Sequence, residues 1–194
     1  MPQRTVTLTI PQRPLHYAQR LDSRCVDDIE LVVIHCTELP DMTMARIWGE
    51  KQRYPGSKTG NSGHFYIDRD GSIEQWVPVN RVAHHVRGFN PQSIGIELVN
   101  TGRYPDWFVS GHQQMSEPYP ELQIGALARL LNHLLAGLPA LKRITGHEDL
   151  DTGMIPSEDE PDTMIRRKLD PGPLFPWSSL MKQTTLQRIS AKDL

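Results

Sequence analysis

Cysteine, charge imbalance and long apolar runs are all scarce in this sequence, and each shortage removes a class of protein. The only two cysteines among the 194 residues are Cys25 and Cys36, too few for a disulfide framework. Cys36 follows a strand pattern and reads as a small buried residue rather than a ligand. Charged residues make up 23% of the chain, yet the net charge is only −2, which excludes a general electrostatic pull toward nucleic acid. No stretch approaches the roughly 20 apolar residues that a membrane helix needs. Residues 1–10 alternate polar and apolar like a strand and lack the continuous apolar region of a secretory signal. The expectation is a soluble, cytoplasmic chain with no export address and no membrane insertion. There is no internal repeat or low-complexity tract, and 194 residues suffice for one domain with a substantial core.

What is present is an interleaving of strand and helix signals. Residues 29–36 read as a buried strand, with β-branched residues and few polar ones. A helix is predicted over about 42–51, followed by a glycine- and serine-rich loop over 54–63. Two short apolar runs, 64–68 and 72–76, flank Arg69-Asp70-Gly71, a hairpin signal. In the strand 93–100, alternation sets Ile94, Ile96 and Leu98 on one face and Gly95 and Glu97 on the other. The longest helix is predicted over about 120–136. Leu127, Leu130, Leu131, Leu134 and Leu135 form its core stripe, and Gly137 and Pro139 end it. A last short strand over 143–145 leads into Gly146-His147. The fold class is therefore α/β, a mixed central β-sheet flanked by α-helices in one domain. Two long loops stand out. Residues 101–119 hold Tyr104, Trp107, Phe108 and Tyr119 and suit the wall of a groove, whereas 150–167 is polar and acidic and reads as solvated.

Four separated residues carry chemistry. His35 ends the run Leu31-Val32-Val33-Ile34, and His147 follows Thr145-Gly146. Glu97 interrupts an apolar strand, and Asp170 stands in Lys168-Leu169-Asp170-Pro171-Gly172-Pro173. Two imidazoles and one carboxylate leave zinc a fourth position for water, and a further carboxylate can take that water's proton. On the residues alone a plainer reading stays open. A histidine after a strand can be a satisfied structural residue and Glu97 a buried hydrogen-bonded carboxylate. Lys168, beside Arg166 and Arg167, can belong to a solvated basic face.

Five stretches narrow the choice: Val32-Val33-Ile34-His35-Cys36-Thr37, then 63–71, 93–100, Thr145-Gly146-His147-Glu148-Asp149 and 167–173. In order, they resemble the motifs of the zinc-dependent N-acetylmuramoyl-L-alanine amidases, the family of bacterial recycling amidases, phage amidase-type lysozymes and peptidoglycan recognition proteins. The resemblance implies a mixed sheet with flanking helices, a catalytic domain over 29–180, an N-terminal extension (1–28) packed on it and a C-terminal tail (181–194). It implies zinc ligands His35, His147 and Asp170, a catalytic carboxylate at Glu97 and a transition-state stabiliser at Lys168. The implied substrate is peptidoglycan or a muropeptide, cut at the amide between the lactyl group of N-acetylmuramic acid and L-alanine, by a monomer. His85 falls where many members carry a Trp-His pair near the substrate groove, although His84 replaces the tryptophan here. His85 is accordingly expected at the substrate, and Trp107 is expected there as part of the aromatic loop. Relatives of this kind recycle anhydro-muropeptides in the cytoplasm, or act as released phage lysins or exported toxins. A binding module without catalysis and a zinc peptidase of the stem peptide are the competing functions. The complete residue set favours an enzyme over the binding module.

Overall fold

The computed structural model describes residues 8–190 and Asp193. In chain order its elements are β1 (Leu31–Cys36), α1 (Met42–Gly49), β2 (Phe65–Ile67), β3 (Ile73–Gln75), β4 (Ser93–Leu98), α2 (Glu121–Gly137), β5 (Arg143–Gly146), α3 (His147–Leu150), β6 (Met154–Pro156), β7 (Met164–Arg166), α4 (Trp177–Leu180) and β8 (Gln187–Arg188). Six strands form one sheet in the order β3-β2-β4-β1-β5-β8. Only the β2–β3 hairpin is antiparallel, so the sheet is mixed.

All six residues of β1 are buried, which suits a strand flanked on both sides and covered on both faces. Its neighbours β4 and β5 run parallel to it, with His35 opposite Glu97 and Ile34 opposite Gly146. The alternation along β4 separates two environments. Ile94, Ile96 and Leu98, with Val32 and Ile34 of β1, join Leu127, Leu130, Leu131 and Leu134 of α2 in the main core. On the other face Leu31 and Val33 pack with Val86 and Ile189, while His35 and Glu97 stand further along the strands, at their carboxyl ends. That edge is where parallel strands present their turns and where open α/β sheets bind ligands.

Local signals place the helices. The Asp41 side chain accepts the Met44 backbone N–H at 2.7 Å and so caps α1. Gln123 is buried on α2, and its amide donates to the carbonyls of Ile67 and Val99, both at 3.0 Å, pinning the helix to the ends of β2 and β4. A second apolar cluster joins Leu15, Tyr17, Ala18 and Leu21 from the segment before β1 to Ala45, Tyr66 and Trp76. The Tyr66 and Trp76 rings stack there with centroids 3.5 Å apart.

Several boundaries and one loop differ from expectation. β1 begins at Leu31, α1 ends at Gly49, and α2 spans Glu121–Gly137. The strand-like alternation of residues 1–10 falls largely outside the described residues, and residues 8–10 form no strand. Residues 150–167 are not a merely solvated loop, because they fold into the β6–β7 hairpin with Ile155 opposite Ile165. Ile165 is buried, and the acidic residues bind the neighbouring loop. Asp159 accepts from the Ser110 amide at 2.7 Å and from its hydroxyl at 2.9 Å, and the Glu158 amide donates to the Phe108 carbonyl. Backbone groups that would otherwise face water are thereby satisfied within the protein.

Leu130 is fully buried between α2 and the sheet. Leu130→Ala is expected to lower the unfolding free energy by about 2–5 kcal/mol, measured as a shift of the urea midpoint at unchanged m-value.

Candidate active site

Three side chains from distant parts of the chain meet at the carboxyl edge of the sheet. His35 is the penultimate residue of β1, His147 opens α3 immediately after β5, and Asp170 lies on the segment leading from β7 to α4. They are only 2%, 4% and 2% exposed. Nδ1 of His35 lies 3.0 Å from Oδ2 of Asp170, and Nδ1 of His147 lies 3.1 Å from the same oxygen. One ligand atom from each of the three residues lies within 4.8 Å of the other two.

The segment bearing Asp170 is tied down at several points. The Asp170 carbonyl accepts from the Glu148 amide at 2.9 Å, and the Tyr119 hydroxyl donates to the Pro171 carbonyl at 2.7 Å. Upstream, the buried Arg103 guanidinium donates to the carbonyls of Arg166 (3.1 Å) and Arg167 (3.3 Å), just before Lys168. Arg103 itself is paired with Glu38, which follows β1, through bonds of 2.6 and 2.9 Å. A buried pair of this kind is costly to break, because the surviving charge has no solvent.

The donor set fits a metal ion. Asp170 Oδ1 is buried and has no hydrogen-bond partner among the described residues. Two nitrogen bases and a carboxylate without competing cationic side chains in direct contact are the borderline-hard ligands that divalent zinc takes.

A cavity of about 630 Å³ opens beside the three residues. His35, His85, Glu97, Trp107, His147, Lys168 and Asp170, all named from the sequence as site candidates, line it together. Glu97 fits because Gly63 has no side chain. A Cβ on Gly63 would stand 2.8 Å from the Cγ of Glu97. The Trp107 indole donates to the Glu38 carbonyl at 3.0 Å, and its ring meets those of Trp48 and Tyr104 edge-on. Arg103, Glu38 and Ser93 were not singled out in the sequence. Of these, Ser93 had a legible signal, since it shares the strand face of Gly95 and Glu97.

Burial dominates the electrostatics. It holds the Glu97 carboxyl up at about 8, with Asp170 and Glu38 adding to the rise and Lys168 opposing it. Glu148 is raised to about 7 by burial and by its acidic neighbours Asp149 and Asp170. Burial depresses the His35 imidazole to about 4, and those of His64 and His85 well below the usual histidine value. Asp170 is held well below the usual carboxylate range by His147, Lys168 and His35, against the effect of burial.

These shifts set the pH dependence of the metal-free protein. From about pH 8 down toward 6.5, folded Glu97 and then Glu148 are protonated while their unfolded counterparts are ionised, so the folded state binds more protons and stability rises as pH falls. Below 6.5, the histidines protonate in the unfolded chain but stay neutral when folded. Three such groups outweigh the two carboxyls, and stability falls toward pH 4. Urea midpoints of the metal-free protein are expected to peak near pH 6.5. A monotonic rise from pH 5 to 8 contradicts this balance.

Comparison with known proteins agrees with this geometry. Residues 26–173 match the family model described as N-acetylmuramoyl-L-alanine amidase. The 1,6-anhydro-N-acetylmuramyl-L-alanine amidase AmpD of Salmonella typhimurium (strain SL1344) is 34% identical over 125 residues, covering 60% of this chain and 53% of that enzyme. The chain thus spans about half the length of the relatives of this kind that it matches first. A crystal structure of a selenomethionine derivative of AmpD superimposes with a TM-score of 0.64 at 26% identity, covering 95% of this chain and 100% of that one. AmiD from E. coli, solved in complex with the substrate anhydro-N-acetylmuramic acid-L-Ala-D-γ-Glu-L-Lys, superimposes with a TM-score of 0.62 at 25% identity, over 95% of this chain and 62% of its own. With a family model covering most of its length and a mixed sheet that carries the His-His-Asp cluster on its carboxyl edge, this chain belongs to the N-acetylmuramoyl-L-alanine amidase family.

Proposed function

We propose that this protein hydrolyses the amide between the lactyl group of N-acetylmuramic acid and L-alanine of the peptidoglycan stem peptide, with zinc held by His35, His147 and Asp170. The observation that carries this reading is the convergence of those three buried side chains on one cavity with Glu97 and Lys168. An unactivated amide needs a strong nucleophile and a stabilised oxyanion. When bound, zinc supplies Lewis-acid polarisation of the scissile carbonyl and acidifies water to near neutral pH. Glu97 accepts the proton of the attacking water and delivers it to the leaving amine nitrogen. A carboxyl that burial, with Asp170 and Glu38, holds near 8 is drawn back toward the ionised form by added positive charge nearby, which is the form a base requires. The Lys168 ammonium stabilises the developing oxyanion. Trp107 and Phe108 offer ring faces on the cavity wall for sugar or peptide.

The relatives named as 1,6-anhydro-N-acetylmuramyl-L-alanine amidases support an anhydro-muropeptide as the substrate, from which we infer a recycling role in the cytoplasm. Rates on a soluble anhydro-muropeptide are expected to exceed those on purified sacculi. A clear preference for sacculi overturns the recycling role and leaves the amidase reading standing.

Mass spectrometry of digested muropeptides is expected to show intact stem peptides with a free L-alanine amino terminus. Cleavage within the stem indicates a peptidase instead, and binding without cleavage indicates a recognition module. Glu97→Gln is expected to retain the metal by elemental analysis while turnover falls about 10²–10⁴-fold. His147→Ala is expected to lose the metal. Full hydrolysis by metal-free protein, or a Glu97→Gln rate within about threefold of the parent, contradicts these assignments.

A further inference from the structure

We propose that His85 and Ser93 are positioning residues for His35: a hydrogen-bond chain running from His35 to the Phe89 carbonyl turns the bare Nδ1 of His35 toward the metal position. The inference rests on the metal-site reading above and assigns His85, expected from the sequence at the substrate, to the support of a metal ligand.

The direction of the chain is set at its far end. A carbonyl can only accept, and the Ser93 hydroxyl donates its single hydrogen to the Phe89 carbonyl at 2.7 Å. Ser93 is fully buried, and its Oγ lies 3.2 Å from Nε2 of His85. With its hydrogen committed, Ser93 Oγ must accept there, so His85 carries its hydrogen on Nε2. A neutral imidazole holds one N–H, which leaves Nδ1 of His85 an acceptor. That nitrogen lies 3.0 Å from Nε2 of His35, which must therefore donate. The hydrogen of His35 is then on Nε2, and its Nδ1 presents a lone pair 3.0 Å from Oδ2 of Asp170. Two acceptors at that separation repel unless a cation lies between them. Metal-bound histidines generally have their other ring nitrogen fixed by such a partner.

The fold makes room for this arrangement. His85 lies across Gly95, where an added Cβ would stand 2.5 Å from the ring's Cγ. The Asn90 side chain accepts from the His85 and Val86 amides at 3.0 and 2.8 Å, holding the turn that carries the ring. His64 meets His85 edge-on, with centroids 5.6 Å apart. Ser93, Gly95 and Glu97 thus occupy one face of β4 in succession, and they respectively anchor the supporting ring, give it space and face the cavity.

The test uses the full chain with His85→Leu, His85→Gln and Ser93→Ala. Zinc affinity is measured at fixed pH by competition with a chelator. Ring-nitrogen tautomers are read from ¹⁵N–¹H spectra of the zinc-loaded protein. The parent is expected to show hydrogen on Nε2 of both His35 and His85. His85→Leu is expected to weaken zinc binding about 10–100-fold. His85→Gln, whose amide can accept and donate in the same places, is expected to recover most of that loss, and Ser93→Ala to fall between. A zinc-loaded parent with hydrogen on Nδ1 of His85, or a folded His85→Leu variant binding zinc within threefold of the parent, overturns the inference and leaves the amidase reading intact. If His85→Leu does not fold, the parent spectra and Ser93→Ala decide. A parent that binds no zinc overturns the metal reading and this inference with it.

Discussion

Asp170 places an ionised carboxylate where only 2% of its surface meets solvent, and such a group is costly to bury unless its charge is compensated. One oxygen faces two imidazole nitrogens and the other has no hydrogen-bond partner among the described residues. Much of the nearby architecture serves to keep that carboxylate in place. The Glu148 amide holds its backbone, Tyr119 holds the following residue, and the parallel alignment of β1 with β5 brings His35 and His147 to the same edge. A buried carboxylate enclosed by two imidazole rings is a preorganised receptor for a cation.

A buried charge pair, Arg103 with Glu38, braces the cavity lining. Its guanidinium reaches the carbonyls of Arg166 and Arg167, so the exit from β1, the aromatic loop and the strand leading to Lys168 share one rigid junction. The β6–β7 hairpin joins the same assembly through Asp159 and Ser110. Cavity shape and the position of Lys168 on its wall are therefore coupled to contacts well away from the His-His-Asp cluster.

How much of this the sequence disclosed depended on range. β1, β4 and α2 were legible because their apolar periodicity is local and strong, and only their ends shifted by one or two residues. His35, Glu97, His147, Asp170 and Lys168 were legible through ordered motifs, since no spacing rule links positions so far apart. Residues 150–167 misled only in part: the acidic side chains are exposed as their composition implies, but the segment pairs into a hairpin, and Asp159 finds a backbone donor, Ser110, some fifty positions earlier. Arg103 and Glu38 left no trace, since an ion pair between loops separated by 65 positions has no periodic signature. Ser93 and Gly95 were visible as a strand face, but their use depended on where His85 would fold back.

His35 and Asp170 are 135 residues apart, and the strands beneath them pair in parallel, with long crossovers between them. Contacts of such high sequence separation form late, because the chain entropy lost in closing those loops is recovered only once the sheet is assembled. A nascent chain that has emerged only as far as α3 holds two of the three candidate ligands and lacks Lys168 and Asp170 from the cavity's lining. The candidate centre is thus complete only when the segment bearing Asp170 has joined the sheet, so capture of an ion there would report that the intervening loops have closed.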